Sequence, residues 1–329
     1  MREIDEGLRF LDPARSNVAE PDEETLAEIL AAPRQERKSS ITFPRVRWWA
    51  LTTGGLVATA VALTLVVTNM LGVAPQPAYA VTPAPLKYRV ADRPAPEVLE
   101  QIAQRAEKLP DDSSNDGKER FVQDSWSLST RVDGIQVTSA VIPERRVTWR
   151  NPDGSEKWKV RTLKPQFRTK EQSKVWEESG SVGRTPQEYS GSSGPADMSD
   201  PRNHEAPLDA NGMSKWLALG YESTGSGETF DAVSERLLDR SFSPKQRAAL
   251  LRALEDVAGI EYKGQVEDRA GRIGAAFSVK SQYGGLPKIQ SLLFDNSSGK
   301  LLAYEEQLTG DVGKLNVKSP AVVLYITYL

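Results

Sequence analysis

The chain is poor in side chains that make and break bonds, and the few it has are badly spaced for the purpose. Among 329 residues there is no cysteine and one histidine. Disulfides, thiolate nucleophiles, iron–sulfur clusters and cysteine-type zinc sites are therefore excluded. His204 lies in the polar run YSGSSGPADMSDPRNHEAP. A catalytic imidazole needs a partner held rigidly within hydrogen-bond reach, so an incidental role in a solvated loop fits better. Asp112, Ser114, Asp116 and Gly117 in DDSSNDGKERFVQ occupy the first, third, fifth and sixth places of a calcium loop. The twelfth place should hold a bidentate glutamate and holds Gln123, which favours a plain turn. Ser297-Ser298-Gly299-Lys300 matches S-x-x-K formally, but that motif opens a helix and here it sits in a turn. Neither G-x-S-x-G nor a P-loop is present. No enzyme and no cofactor are expected. The aromatic residues Trp126, Trp149 and Trp158 could line a ligand cleft by stacking on sugars or lipid, with core packing as the plainer alternative.

The elements that carry these residues can be read from periodicity. From Phe121 to Leu163 apolar residues alternate with polar ones, as in Trp126/Leu128, Val147/Trp149 and Trp158/Val160. Asp133-Gly134 and Asn151-Pro152-Asp153-Gly154 are hairpin turns. The pattern predicts an antiparallel meander with the tryptophans on one face. Before it, residues 96–109 read as an amphipathic helix with Val98, Ile102, Ala106 and Leu109 at helical spacing. After it, residues 164–210 are polar and rich in glycine, serine and proline, predicting a long flexible loop. Helices are expected at about 211–219 and 228–239. SPKQRAALLRALEDVAG adds a third, with Ser243 as cap, Pro244 in the first turn, Gln246 closing the capping box and Gly259 past the end. Strands are predicted at about 260–267, 272–280, 288–294 and 300–307, with AVVLYITYL as a buried final strand. The fold class is α+β: an antiparallel-sheet domain with a helical insertion, whose apolar sheet face the helices either cover or leave open for a ligand.

One stretch decides where this domain lives. Residues 48–73 contain no charge, although 26% of the chain is charged. About 20 helical residues cross a hydrocarbon core of about 30 Å, and Trp48 and Trp49 suit the headgroup level, so this is read as a transmembrane helix. Ala78-Tyr79-Ala80 has a form that signal peptidases accept, but the long preceding tail and long apolar run favour a retained anchor over cleavage after Ala80. Residues 34–47 hold five basic side chains and one acidic, and the first basic residue beyond the span is Lys87. The positive-inside rule then keeps residues 1–47 cytoplasmic as a tail and exports the chain beyond the span. The exported part comprises a Pro-rich stalk at 74–95 and an extracytoplasmic domain at 96–329.

Charge excludes one class of partner. Lysine and arginine number 42 against 45 acidic residues, so no basic surplus exists to displace phosphate counterions, and nucleic acid is not expected. Within the tail, Asp22 to Ala32 reads as a short helix with Leu26, Ile29 and Leu30 on one face. This stripe is the candidate partner-binding surface. The alternative is a solvated tail that only sets topology.

PAYAVTPAPLKY, SFSPKQRAALLRALEDVAGIEYKGQVEDRAGRIGAAFSV and LLFDNSSGKLLAYEEQL, with the tail and span, resemble a family of actinobacterial single-pass membrane proteins of unassigned function. Genes of that family often neighbour extracytoplasmic-function sigma factors, which implies an anti-sigma-like regulator with a sigma factor as cytoplasmic partner. The His-x3-Cys-x2-Cys zinc motif of one large anti-sigma class has no counterpart here. The helix–meander order also resembles the half-barrels of periplasmic lipoprotein carriers and of sensors that restrain anti-sigma factors. The expectation is a single-pass regulatory or sensor protein whose outer domain binds an envelope lipid or protein. The alternative is a tethered lipid or glycan binding module without a signalling role.

Overall fold

The computed structural model describes residues 82–89, 92–112, 116–133, 136–165, 170–178, 187–221, 223, 225–310, 312, 315 and 317–329. The tail with Leu26, Ile29 and Leu30, the span at 48–73 and Ala78-Tyr79-Ala80 lie outside these residues. Among the described residues no helix is long and apolar enough to cross a membrane.

The chain order is α1 (Ala95–Glu107), β1 (Glu119–Asp133), β2 (Gln136–Arg150), β3 (Glu156–Thr162), α2 (Lys170–Glu178), β4 (Glu188–Ser193), α3 (Ala210–Ala218), α4 (Ser226–Arg236), α5 (Pro244–Glu255), β5 (Glu261–Glu267), β6 (Ile273–Ser281), β7 (Lys288–Phe294), β8 (Leu301–Leu308) and β9 (Ala321–Tyr328). The strands form one sheet in the order β4-β3-β2-β1-β9-β8-β7-β6-β5. Every pairing is antiparallel. Two meanders, one before α3–α5 and one after, are thus joined where β9 pairs with β1, Trp126 opposite Tyr325. The α+β class holds.

Helices α1, α3, α4 and α5 fill one face of the sheet. Leu99 and Ile102 of α1, Phe230 of α4 and Leu250 and Leu254 of α5 pack with Phe277, Phe294 and Ile326 in a single core. An antiparallel sheet must hide its apolar face, and here helices hide it. The α5 start is specified locally: Ser243 accepts from the Gln246 N–H while the Gln246 side chain accepts from the Ser243 N–H. Strands β6, β7 and β8 are buried on both faces, with runs of six, five and six consecutive buried residues. Their second face is covered by residues 82–89, from which Leu86 and Tyr88 pack on Val266, Leu293, Leu302 and Tyr325. The Arg89 N–H donates to the Gln265 carbonyl at 2.8 Å, bridging this strap to β5. Residues 82–89, within the segment read from the sequence as a Pro-rich stalk, thus pack on the sheet.

The polar stretch 164–210 is not one loop. It holds α2, the edge strand β4 and a short 3-10 turn at Pro201–Asn203. Its strand escapes an apolar-alternation test because EYSGSS is held to β3 by main-chain bonds and alternates only between exposed and half-buried positions. Polar composition is what an unpartnered sheet edge needs.

Candidate functional site

Strand register places the three tryptophans. Trp149 lies opposite Arg120 on β1 and Lys157 on β3, and Arg120 is six residues from Trp126, so Trp126 and Trp149 share the face away from the helices. Trp158 lies opposite Thr148 and Gly191 and leaves by the other face. A single three-tryptophan face is therefore not formed, because the β2–β3 pairing sets Trp158 against Trp149's chain neighbour. Trp158 is held from two sides. The Arg146 guanidinium sits 5.5 Å over its ring, and a Cβ at position 191 would come within 2.4 Å of it, which explains the glycine there. Trp149 is 43% exposed. With Lys157, Trp158, Lys159, Ser190, Gly191 and Ser192 it borders a shallow groove of about 430 Å³ at the β4 edge of the sheet, which both tryptophans line although their strand positions face opposite ways.

Trp126 belongs to a different group, under the strap. Arg269 follows β5 in a turn that the buried Asp268 organises by accepting from Ala270, Arg272 and the Arg272 guanidinium. The Arg269 guanidinium donates to Glu305 at 2.9 Å and to the Ala84 carbonyl at 3.0 Å. It also lies 4.9 Å over the Trp126 ring and 4.4 Å over Tyr325. An arginine can serve a carboxylate, a carbonyl and two π faces together because its charge is spread over a plane. Glu305 is almost fully buried, and burial outweighs the opposing Arg269 charge to push its carboxyl up to about 7. Burial, then the Glu305 charge, raise the Tyr88 hydroxyl to about 12. One residue on the strap, Ala84, is thus tied by a charged hydrogen bond to a pair buried in the sheet.

A third polar group lies between α4 and the sheet. Gln290 donates to the Gly227 carbonyl at 3.0 Å and to the Tyr304 hydroxyl at 2.7 Å, and Tyr304 in turn donates to Glu306 at 2.7 Å. Lys288 donates to the other Glu306 oxygen at 2.7 Å. Across from these, the Tyr221 hydroxyl contacts Asp231 at 2.9 Å and Glu235 at 2.7 Å. Burial, then the Glu306 charge, raise Asp231 to about 6. Such an arrangement can store a proton near neutrality. Sequence reasoning missed this group and the Arg269–Glu305 pair, because nine or more residues separate most partners and each residue reads as an ordinary strand or helix position.

Of the residues weighed for chemistry in the sequence, Ser114 lies outside the described residues, and Asp112, Ser297, Ser298 and His204 have structural partners. Asp112 accepts from Arg247 at 3.1 Å and pairs with Lys300 at 2.7 Å, while Ser297 and Ser298 donate to Asp295 in their own turn at 2.6 and 2.7 Å. His204 Nε2 lies 2.9 Å from the Met198 carbonyl. Among the described residues no cluster of three or more histidine or acidic side chains could hold a metal ion. No family model matches the chain, and no curated protein or solved structure shows significant similarity to it.

Proposed function

We propose that the chain is a single-pass, membrane-anchored regulatory or sensor protein of the anti-sigma-like kind. Residues 1–47 lie in the cytoplasm and engage a sigma factor through Leu26, Ile29 and Leu30. Residues 48–73 cross the membrane, and the outer domain, a half-barrel closed by its helices, binds an envelope ligand or protein. The observation that supports this reading most directly is the strap. Polypeptide between the proposed span and the first helix is packed onto the sheet, with Ala84 bonded to Arg269 and Leu86 and Tyr88 in its apolar cluster. A ligand that favours one arrangement of the sheet would shift the strap's docking equilibrium in proportion to its differential affinity. That gives the outer domain a physical route to the segment entering the membrane. A single helix transmits tilt poorly, so dimerisation or cleavage near the stalk completes the signal.

Co-purification of the full chain with the sigma factor encoded nearest to it tests this reading. Binding that is lost when Leu26, Ile29 and Leu30 are changed to serine supports it. No binding, together with an unchanged transcript profile in a deletion strain, removes it. The reading as a tethered glycan or lipid module draws on a separate observation, the exposed Trp149 groove, and would survive that loss.

A further inference from the structure

The β1–β4 half of the sheet carries exposed side chains on the face away from α1, α3, α4 and α5, and register arranges them in rows. The first row runs Arg120, Trp149, Lys157, Ser192 across four strands, and the second Val122, Val147, Lys159, Ser190. The third runs Asp124, Arg145, Arg161, Glu188. Five side chains in this array are basic and two acidic, in a chain whose net charge is −3. All five basic residues are exposed. Arg145 is paired with Asp124 at 2.5 Å and Lys159 with Glu188 at 2.6 Å. Among the described residues no acidic side chain pairs with Arg120, Lys157 or Arg161, and the first two flank the exposed Trp149.

We infer that this face binds an acidic polysaccharide, with Trp149 stacking on a sugar ring, Arg120, Lys157 and Arg161 meeting its anionic groups, and Ser190 and Ser192 meeting its hydroxyls. The inference rests on the reading of the outer domain as a binding domain and names its ligand class. Three features favour a glycan over a lipid surface. The groove beside Trp149 is shallow and about 430 Å³, suited to a flat ring lying along the strands. Its walls set two aromatic rings, Trp149 and Trp158, beside the Lys157 and Lys159 ammonium groups and the Ser190 and Ser192 hydroxyls, a mixture of flat π faces with polar donors rather than a cluster of aliphatic tips. Successive rows stand two residues apart along the strands, so neighbouring cations repeat at about 7 Å in a line that suits an extended polyanion rather than focusing on one point. Lone cations of this kind attract polyanions weakly each and strongly together, and salt screens them.

The test uses the purified full-length chain in detergent micelles and a matched pair of polymers, polygalacturonate and its fully methyl-esterified, uncharged form. The expected result is binding to polygalacturonate that weakens with added salt and is at least about tenfold weaker for the ester. Trp149→Ala should weaken binding by about tenfold, with Trp149→Phe restoring part of it. Lys157→Glu should abolish binding, and Lys280→Ala, an exposed lysine on β6, should leave it unchanged. Far-UV circular dichroism of each variant separates lost binding from lost folding. Equal binding of both polymers, indifference to Trp149 and Lys157, or binding only to vesicles containing an anionic phospholipid would each overturn the assignment. Failure here would leave sigma-factor binding intact, whereas failure of the regulatory reading would leave polymer binding intact.

Discussion

Beneath the strap, the Glu305 carboxyl is pulled in two directions: burial favours its protonated form and Arg269 its ionised form, and burial prevails to set it near 7. A carboxyl raised in the folded state holds a proton that the unfolded chain releases. Its contribution to stability is therefore most favourable below the ordinary value of 4.5 and is lost as pH rises through about 7. Asp231, raised to about 6, acts in the same sense over a lower window. Thermal unfolding followed by circular dichroism should give a midpoint that falls between pH 5 and 7.5, and Glu305→Gln should flatten the upper part of that slope. Arg269→Ala removes the partner of a buried carboxylate and should cost about 3 kcal/mol by urea denaturation at pH 7.5. The cost should shrink at pH 5, where Glu305 can take up a proton instead. None of this was legible in the sequence, since Arg269 and Glu305 lie 36 positions apart and only the β6, β7 and β8 pairings bring them together.

At the level of elements, local signals were strong wherever backbone chemistry alone could specify the structure. Ser243, Pro244, Gln246 and Gly259 mark α5 by chemistry that does not depend on the rest of the fold, and the helix runs Pro244–Glu255. Ser243→Ala should cost about 1 kcal/mol, measured by urea denaturation. The strands from β5 to β9 were readable because they are apolar and bounded by turn residues such as Asp295-Asn296-Ser297-Ser298-Gly299. β4 was not, because an edge strand of tyrosine, serine and glycine is stabilised by a neighbour's main chain rather than by its own pattern. The strap was hidden for a related reason. VTPAPLKY carries no period, and only the cluster around Val266 and Tyr325 gives Leu86 and Tyr88 something to bury against. Gly227 is a sharper test of helix–sheet packing. A Cβ there would lie 2.6 Å from Ser281 Oγ and 2.7 Å from Gln290 Oε1, so Gly227→Ala should push α4 off β6 and β7 and cost about 1–3 kcal/mol.

For the molecule as a whole, the sheet joins residues from both ends of the described region. Strand β1 is paired with β9, and the strap bridges to β5 at the far edge. Removing residues 82–89 while retaining the rest of the chain should uncover Val266, Leu302 and Tyr325. The expected readouts are stronger binding of a hydrophobic dye and faster amide exchange in β5, β6 and β8, while the α5 amides keep their protection. Unchanged exchange in those strands would mean that the strap contributes little to the sheet. Carbonate washing of membranes checks the proposed anchor, since a retained span keeps the full chain in the pellet and protease added to intact cells should then trim it from the outside.

The strap also has a mechanical direction. Its attachments lie in series along the chain, first the Ala84 carbonyl on Arg269, then Leu86, then Tyr88, and last the Arg89–Gln265 bridge. A tug applied from the N-terminal side reaches the Ala84 tether before the others. That tether binds the same guanidinium that neutralises Glu305, so its release is the first step by which tension on the chain would uncover the pair.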